Sequence, residues 1–257
     1  MQGLAEDLLT QLLRLQIRLL ACRERLLAAT DGEALHDLRI ALRQLRSLLR
    51  PLQQLPACAE VLQRAAELGR LSGPLRDLEV LTAYLQAQGL QQLAQSRQTL
   101  LRQGYAELLV SAPLNALLLA LDDWPALWRR AESAGELAGL KKRISRRLGK
   151  QRRQLLQALA DPAHDRHRLR LLIKRLRYAG EAYPALAGSG GDSLGRLKQA
   201  QAALGDWHDH WQWLARAELE LDLQPCVPAW RQALQAAEQQ ADQALEKLLE
   251  EFSIVNR

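Results

Sequence analysis

The chain has 257 residues and a formal net charge of +6, carried by 35 basic against 29 acidic residues. Its 59 Leu and 39 Ala stand against only 5 Val, 5 Ile and 4 Thr, with one Phe and four Tyr. So few β-branched and aromatic residues cannot build a sheet, which excludes Rossmann folds, barrels, sandwiches and propellers and predicts an all-α protein.

Helical periodicity runs almost from end to end. It is interrupted at Thr30-Asp31-Gly32, Pro51 with Pro56, Gly73-Pro74, Gly89, Pro113, Pro125, Pro162, Gly188-Ser189-Gly190-Gly191, Gly205, and Pro225 with Pro228. These breaks predict helices over about 2–29, 33–50, 57–71, 75–88 and 90–111, then about 134–160, 164–184, 192–204, 207–222 and 228–252.

The two sets of five echo each other. His36-Asp-Leu-Arg39 to Arg46 falls on His167-Arg-Leu-Arg170 to Arg177 at an offset of 167 − 36 = 131, with Arg43 matched by Lys174. Gly73-Pro-Leu-Arg-Asp77 meets Gly205-Asp-Trp-His-Asp209 at 205 − 73 = 132, and Arg14 and Arg18 meet Arg146 and Lys150 at the same offset. A repeat of this length predicts two similar helical bundles, residues 1–125 and 126–257, related by an approximate two-fold axis.

The basic residues are placed, not scattered. Of the 35, 29 are Arg, whose planar fork fits phosphate oxygens in pairs. At 100° per residue His36, Arg39, Arg43, Arg46 and Arg50 share one arc of about 80°, beside an apolar stripe of Leu38, Leu42, Leu45 and Leu49. His167, Arg170, Lys174 and Arg177 repeat the pattern beside Leu169, Ile173 and Leu176. No acid lies in 38–59 or 166–180, whereas a solvated helix face normally mixes signs at i, i+4 spacing. A third acid-free run, Lys141 to Arg153, holds eight basic residues, among them Arg143, Arg146 and Lys150. Stacked like charges call for an anionic partner.

These residues and their order resemble the CHAD family, the conserved histidine α-helical domain. The matching elements are His36-x-x-Arg39-x-x-x-Arg43-x-x-Arg46, its echo His167-x-x-Arg170-x-x-x-Lys174-x-x-Arg177-Tyr178, and the Leu-Arg-Asp77 and Trp-His-Asp209 segments. The resemblance covers essentially all of 1–257 as a single such domain. It implies two four-helix bundles flanking a basic channel that binds inorganic polyphosphate without catalytic turnover, and some relatives associate with polyphosphate granules. On that reading Arg14, Arg18, His36, Arg39, Arg43, Arg46, Arg50, Arg143, Arg146, Lys150, His167, Arg170, Lys174 and Arg177 contact the polyanion, and no cofactor is needed. If one channel is shared, Arg43→Glu and Lys174→Glu each weaken binding of the same ligand in a titration. Independent sites would instead lose half the stoichiometry and keep the remaining affinity.

Two other readings remain open. The pairs His36-Asp37, His164-Asp165 and His208-Asp209 invite comparison with HD-type metal-dependent phosphohydrolases, with His164, His167, Asp206, His208 and His210 as candidate ligands. Against this, position 208 is matched in the first half by Arg76, which ligates no metal. Nucleic acid is the second rival, but five of the six Trp (124, 128, 207, 211 and 213) sit at core-like spacing and are expected to pack inside, leaving no platform for bases. Cys22, Cys58 and Cys226 are too few and too far apart for a disulfide framework or a thiolate zinc site. Glu6 and Asp7 stand where a signal peptide carries basic residues, so a cytoplasmic protein without membrane segments is expected.

Overall fold

The computed structural model describes residues 2–161, 163–187 and 193–254, and the predicted breaks at Pro162 and Gly188 to Gly191 lie outside these. No strand occurs among the described residues. The helices are α1 (Gln2–Leu27), α2 (Ala34–Leu49), α3 (Pro56–Leu71), α4 (Gly73–Ala87), α5 (Gln91–Leu109), α6 (Ala112–Ser133), α7 (Leu140–Leu159), α8 (Arg166–Ala182), α9 (Ser193–Ala217) and α10 (Val227–Ile254). Two short 3-10 segments, Arg50–Leu52 and Leu221–Cys226, precede α3 and α10. The chain divides into two compact units between Ile144 and Ser145, within α7 and downstream of the repeat boundary read from the sequence.

The first unit holds α1 to α6. α1 packs on α2, α5 and α6, while α3 packs on α2, α4 and α6. The apolar stripe of α2 (Leu38, Leu42, Leu45 and Leu49) is buried, as its spacing predicts. α6 is the helix that the prolines concealed. Pro113 sits in its first turn, where a missing N–H costs nothing because that N–H has no intrahelical partner, and the Ser111 side chain caps the same turn. Pro125 lies inside the helix, where proline normally breaks it. Trp124 and Trp128 offset that cost: both are buried and stacked with centroids 4.8 Å apart, and Trp128 Nε1 donates to the Ala5 carbonyl across the unit.

The second unit gathers α7 to α10 around one core: Leu155 and Leu159 of α7, Leu169 and Ile173 of α8, Leu204 and Trp207 of α9, and Leu245, Leu248 and Phe252 of α10. α9 runs unbroken through Gly205, where the sequence predicts a break. A mid-helix glycine costs only about 1 kcal/mol relative to alanine, and burying Leu204 and Trp207 on either side outweighs it. Arg166 ties α8 to α10 through a two-pronged bond to Asp242 at 3.0 and 2.8 Å.

All three cysteines are free and buried. Burial pushes the Cys58 thiol up to about 12, which makes it an inert core group. No single described helix is long and apolar enough to cross a membrane.

Candidate functional site

On α2, burying the Leu stripe fixes the rotation of the helix and leaves His36, Arg39, Arg43 and Arg46 half-buried along its flank, with Arg50 just beyond the helix end. The stripe faces the corner where α3 meets α4. Arg39 Nη1 donates to the Gly69 carbonyl at 3.0 Å and to Ser72 Oγ at 2.9 Å, and the hydroxyl of Ser72, fully buried, donates in turn to the Leu68 carbonyl. A Cβ on Gly69 would lie 3.6 Å from Arg46 Nη1, and one on Gly73 would lie 3.8 Å from Arg39 Nη1, ordinary contact distances that place both guanidinium groups over the corner. Arg46 and Arg50, with Gln53, Gln54 and Gln63, line an open hollow at the far end of the stripe.

The opposite flank of α2 is tied to α1. Asp37 accepts from Arg25 at 2.7 Å and from Arg18 at 3.5 Å, and Arg18 also reaches Gln44 at 3.3 Å. These bonds hold the Asp37 carboxyl below its ordinary range, the Arg25 bond being the main cause. Arg18 thus braces α1 against α2 while exposed, and Arg14, one turn before it, is exposed as well.

The electrostatics of this flank are unfavourable by themselves. Burial depresses the basicity of His36, and the charges of Arg76 and Arg43 push the same way against the pull of Glu33 and Asp37. Arg39 is likewise made less basic by burial and by Arg43 and Arg76, with Asp77 and Glu79 opposing. Arg76, which the sequence reading leaves out of the site, therefore belongs to the same positive cluster. It is anchored by the buried carboxylate of Glu79, which accepts from Arg76 Nη1 at 2.8 Å and from the Tyr105 hydroxyl. Glu79→Ala is expected to cost about 3 kcal/mol of stability, measured by denaturant titration, because it strands Arg76 among like charges.

The flank of α8 repeats the arrangement with different neighbours. Asp165 caps the helix by accepting from the His167 backbone N–H at 2.8 Å. His167, Arg170, Lys174 and Arg177 are all half-buried. Arg177 is engaged locally, donating to Gln201 and Glu181 at 2.7 Å each and lying 4.2 Å over the Tyr178 ring. His167 sits edge-on to Trp207, His208 and Trp211 of α9, at centroid distances of 4.7, 5.2 and 4.8 Å. Burial first, then the charges of Arg170, His167 and Lys174, drive His208 down to about 4. Its Nδ1 is buried without a hydrogen-bond partner among the described residues.

The tryptophans do not all pack inside as their spacing predicts. Trp124, Trp128, Trp207 and Trp213 are buried, but Trp211 is 45% exposed beside His167 and His208. Spacing alone could not separate it from its neighbours. Residue 211 lies only about 40° round α9 from residue 207 at 100° per residue, yet Trp207 is buried while Trp211 stacks on His208 and is exposed.

α7 carries the third basic run. Leu140, Ile144, Leu148 and Leu155 face inward, so Lys141, Lys142, Arg143, Arg146, Lys150 and Arg153 project into solvent. No three His, Cys, Asp or Glu side chains come together in a metal-holding group among the described residues. The carboxylates of two His-Asp pairs are committed elsewhere, Asp37 to Arg25 and Asp165 to the α8 cap, while His210 Nδ1 bonds the Asp206 carbonyl at 2.8 Å.

A family model for the CHAD domain matches residues 11–218, and so spans both basic flanks and the α9 aromatic cluster. The chain belongs to the CHAD domain family. The crystal structure of the CHAD domain from the plant Ricinus communis superposes with a TM-score of 0.71 at 24% identity, covering 97% of this chain and 91% of that one. It shares the all-α CHAD fold. No curated protein matches the chain in sequence. Within the family pattern, His36 and His167 open the two matching motifs, and both lie at helix starts beside arginines.

Proposed function

We propose that this CHAD protein is a non-catalytic binder of inorganic polyphosphate, held on the Arg, Lys and His flanks of α2, α8 and α7, and that it acts in the cytoplasm at polyphosphate granules. The observation that carries the reading is the half-buried cluster of His36, Arg39, Arg43 and Arg76, in which burial first, and then the charges of Arg43 and Arg76, lower the basicity of His36 and Arg39. Such a cluster is held in place by Ser72, Gly69 and Glu79 at a cost in stability, and a polyanion relieves that cost. Rigid helices fix the donors in advance, so little ordering cost falls on the protein.

The test is a competition mobility-shift assay at physiological salt, with long-chain polyphosphate, RNA and DNA compared at equal phosphate concentration. Polyphosphate is expected to displace both nucleic acids, and retention of nucleic acid would overturn the reading. In the same preparation polyphosphate with magnesium or manganese is expected to release no orthophosphate. Metal-dependent release abolished by His208→Ala would establish the hydrolytic alternative instead.

The histidines make binding pH-dependent. In the free protein His36 and His208 hold protons more weakly than an ordinary imidazole, so both are largely neutral at pH 7. For folding, the unfolded chain binds the His208 proton more tightly; stability from this group is complete above about pH 6.5 and falls away toward pH 4. For binding the sign reverses, because a neighbouring polyanion raises the imidazole pKa and the complex takes up protons. Affinity is expected to rise several-fold between pH 7.5 and 5.5, with proton uptake visible by calorimetry in buffers of different ionisation enthalpy.

A further inference from the structure

The surroundings of the two basic flanks differ chemically where α4 and α9 face them. At the offset of 132 that aligns Gly73 with Gly205, Arg76 corresponds to His208 and Glu79 to Trp211. In the first unit the pair is an ion pair, with Glu79 buried and bonded to both Arg76 and Tyr105. In the second it is a stacked pair of rings, 12° from parallel with centroids 6.1 Å apart, and Trp211 is exposed. An acid at this point repels an anion. An exposed indole offers a π-face.

That indole is also held in a fixed orientation. His167 meets it edge-on at 4.8 Å, His208 lies parallel to it, and His167 is pinned in turn by Trp207. Arg170 and Lys174 follow His167 on the same flank of α8, about 4.5 and 10.5 Å further along the helix axis. A ring-bearing ligand stacked on Trp211 therefore directs its charged tail along cations already in register.

We propose that the α8–α9 face of the second unit binds a nucleoside polyphosphate, the base stacking on Trp211 and the phosphates lying along Arg170 and Lys174. This rests on the reading that the α8 flank takes phosphate groups, but it adds a ligand class that a purely ionic channel would not prefer. The first unit, with Glu79 in place of the indole, has no counterpart.

The experiment compares adenosine triphosphate with inorganic tripolyphosphate by calorimetry on the full chain. Tripolyphosphate is the more highly charged, so charge alone favours it. Stacking of one base is worth roughly a factor of ten or more, and the nucleotide is expected to bind the wild-type protein at least as tightly. Trp211→Ala is expected to weaken the nucleotide about tenfold and leave tripolyphosphate within twofold, while Trp211→Phe keeps most of the nucleotide affinity. Adenine proton resonances should shift upfield on binding to the wild type and not to Trp211→Ala. Equal effects of Trp211→Ala on both ligands, or none on either, overturn the stacking site while leaving phosphate binding intact. Failure of the wild type to bind either compound overturns both readings. Since Trp211 is exposed, Trp211→Ala should retain the wild-type circular dichroism melt.

Discussion

Raising the salt from about 50 to 200 mM is expected to weaken polyphosphate binding a few thousandfold. On the proposed reading eight cations meet phosphates: Arg39, Arg43 and Arg46 on α2, Arg170 and Lys174 on α8, and Arg143, Arg146 and Lys150 on α7. Neutralising about eight phosphates of a flexible single strand releases counterions at roughly 0.7 per contact, giving a log–log slope near 6. A fourfold rise in salt acts through that exponent. The measurement is a series of equilibrium titrations at several salt concentrations. A slope below about 2 would show that binding does not use these surfaces.

Reversing single charges is expected to cost an order of magnitude or more. A hydrogen bond between a cation and phosphate is worth about 1.5 to 3 kcal/mol, which is roughly 10- to 150-fold in affinity. Arg43 is central to the α2 cluster, since its charge bears on both His36 and Arg39. Arg43→Glu both removes a donor and places an acid among the remaining ones. Lys174→Glu does the same on α8, where Lys174 acts on His208. Neither position lies on the buried Leu stripe, so both variants should fold and show wild-type circular dichroism. By contrast Arg39→Ala loses the bonds to Gly69 and Ser72 as well, and a fall in stability would accompany any loss of affinity. Unchanged affinity in Arg43→Glu would remove the α2 flank from the site.

The family assignment gives these two experiments their meaning, because a CHAD fold at 24% identity to a plant domain establishes the architecture and leaves the ligand to be measured. The internal contrast between Glu79 and Trp211 shows why the halves should be tested separately. One flank is closed by a buried acid, the other by an exposed ring.

Much of this was legible in the chain itself. Composition alone determines the all-α class, since Leu and Ala in such excess leave no material for strands. Helical periodicity places the Leu stripe and the His-Arg flank of α2 side by side, and burying the first leaves the second half-buried along its edge. What only the tertiary structure decided are the points where long-range packing outweighs local preference. Pro125 and Gly205 read as breaks, yet the Trp124–Trp128 stack and the buried Leu204 and Trp207 carry helices through them, because burial of large side chains exceeds the local backbone cost. The nearness of Arg76 and His208 to the basic flanks, the tethering of Arg39 to Ser72 and the exposure of Trp211 depend on which helix lies opposite. A sequence fixes the angle of a residue on its own helix, and only packing fixes what that angle faces.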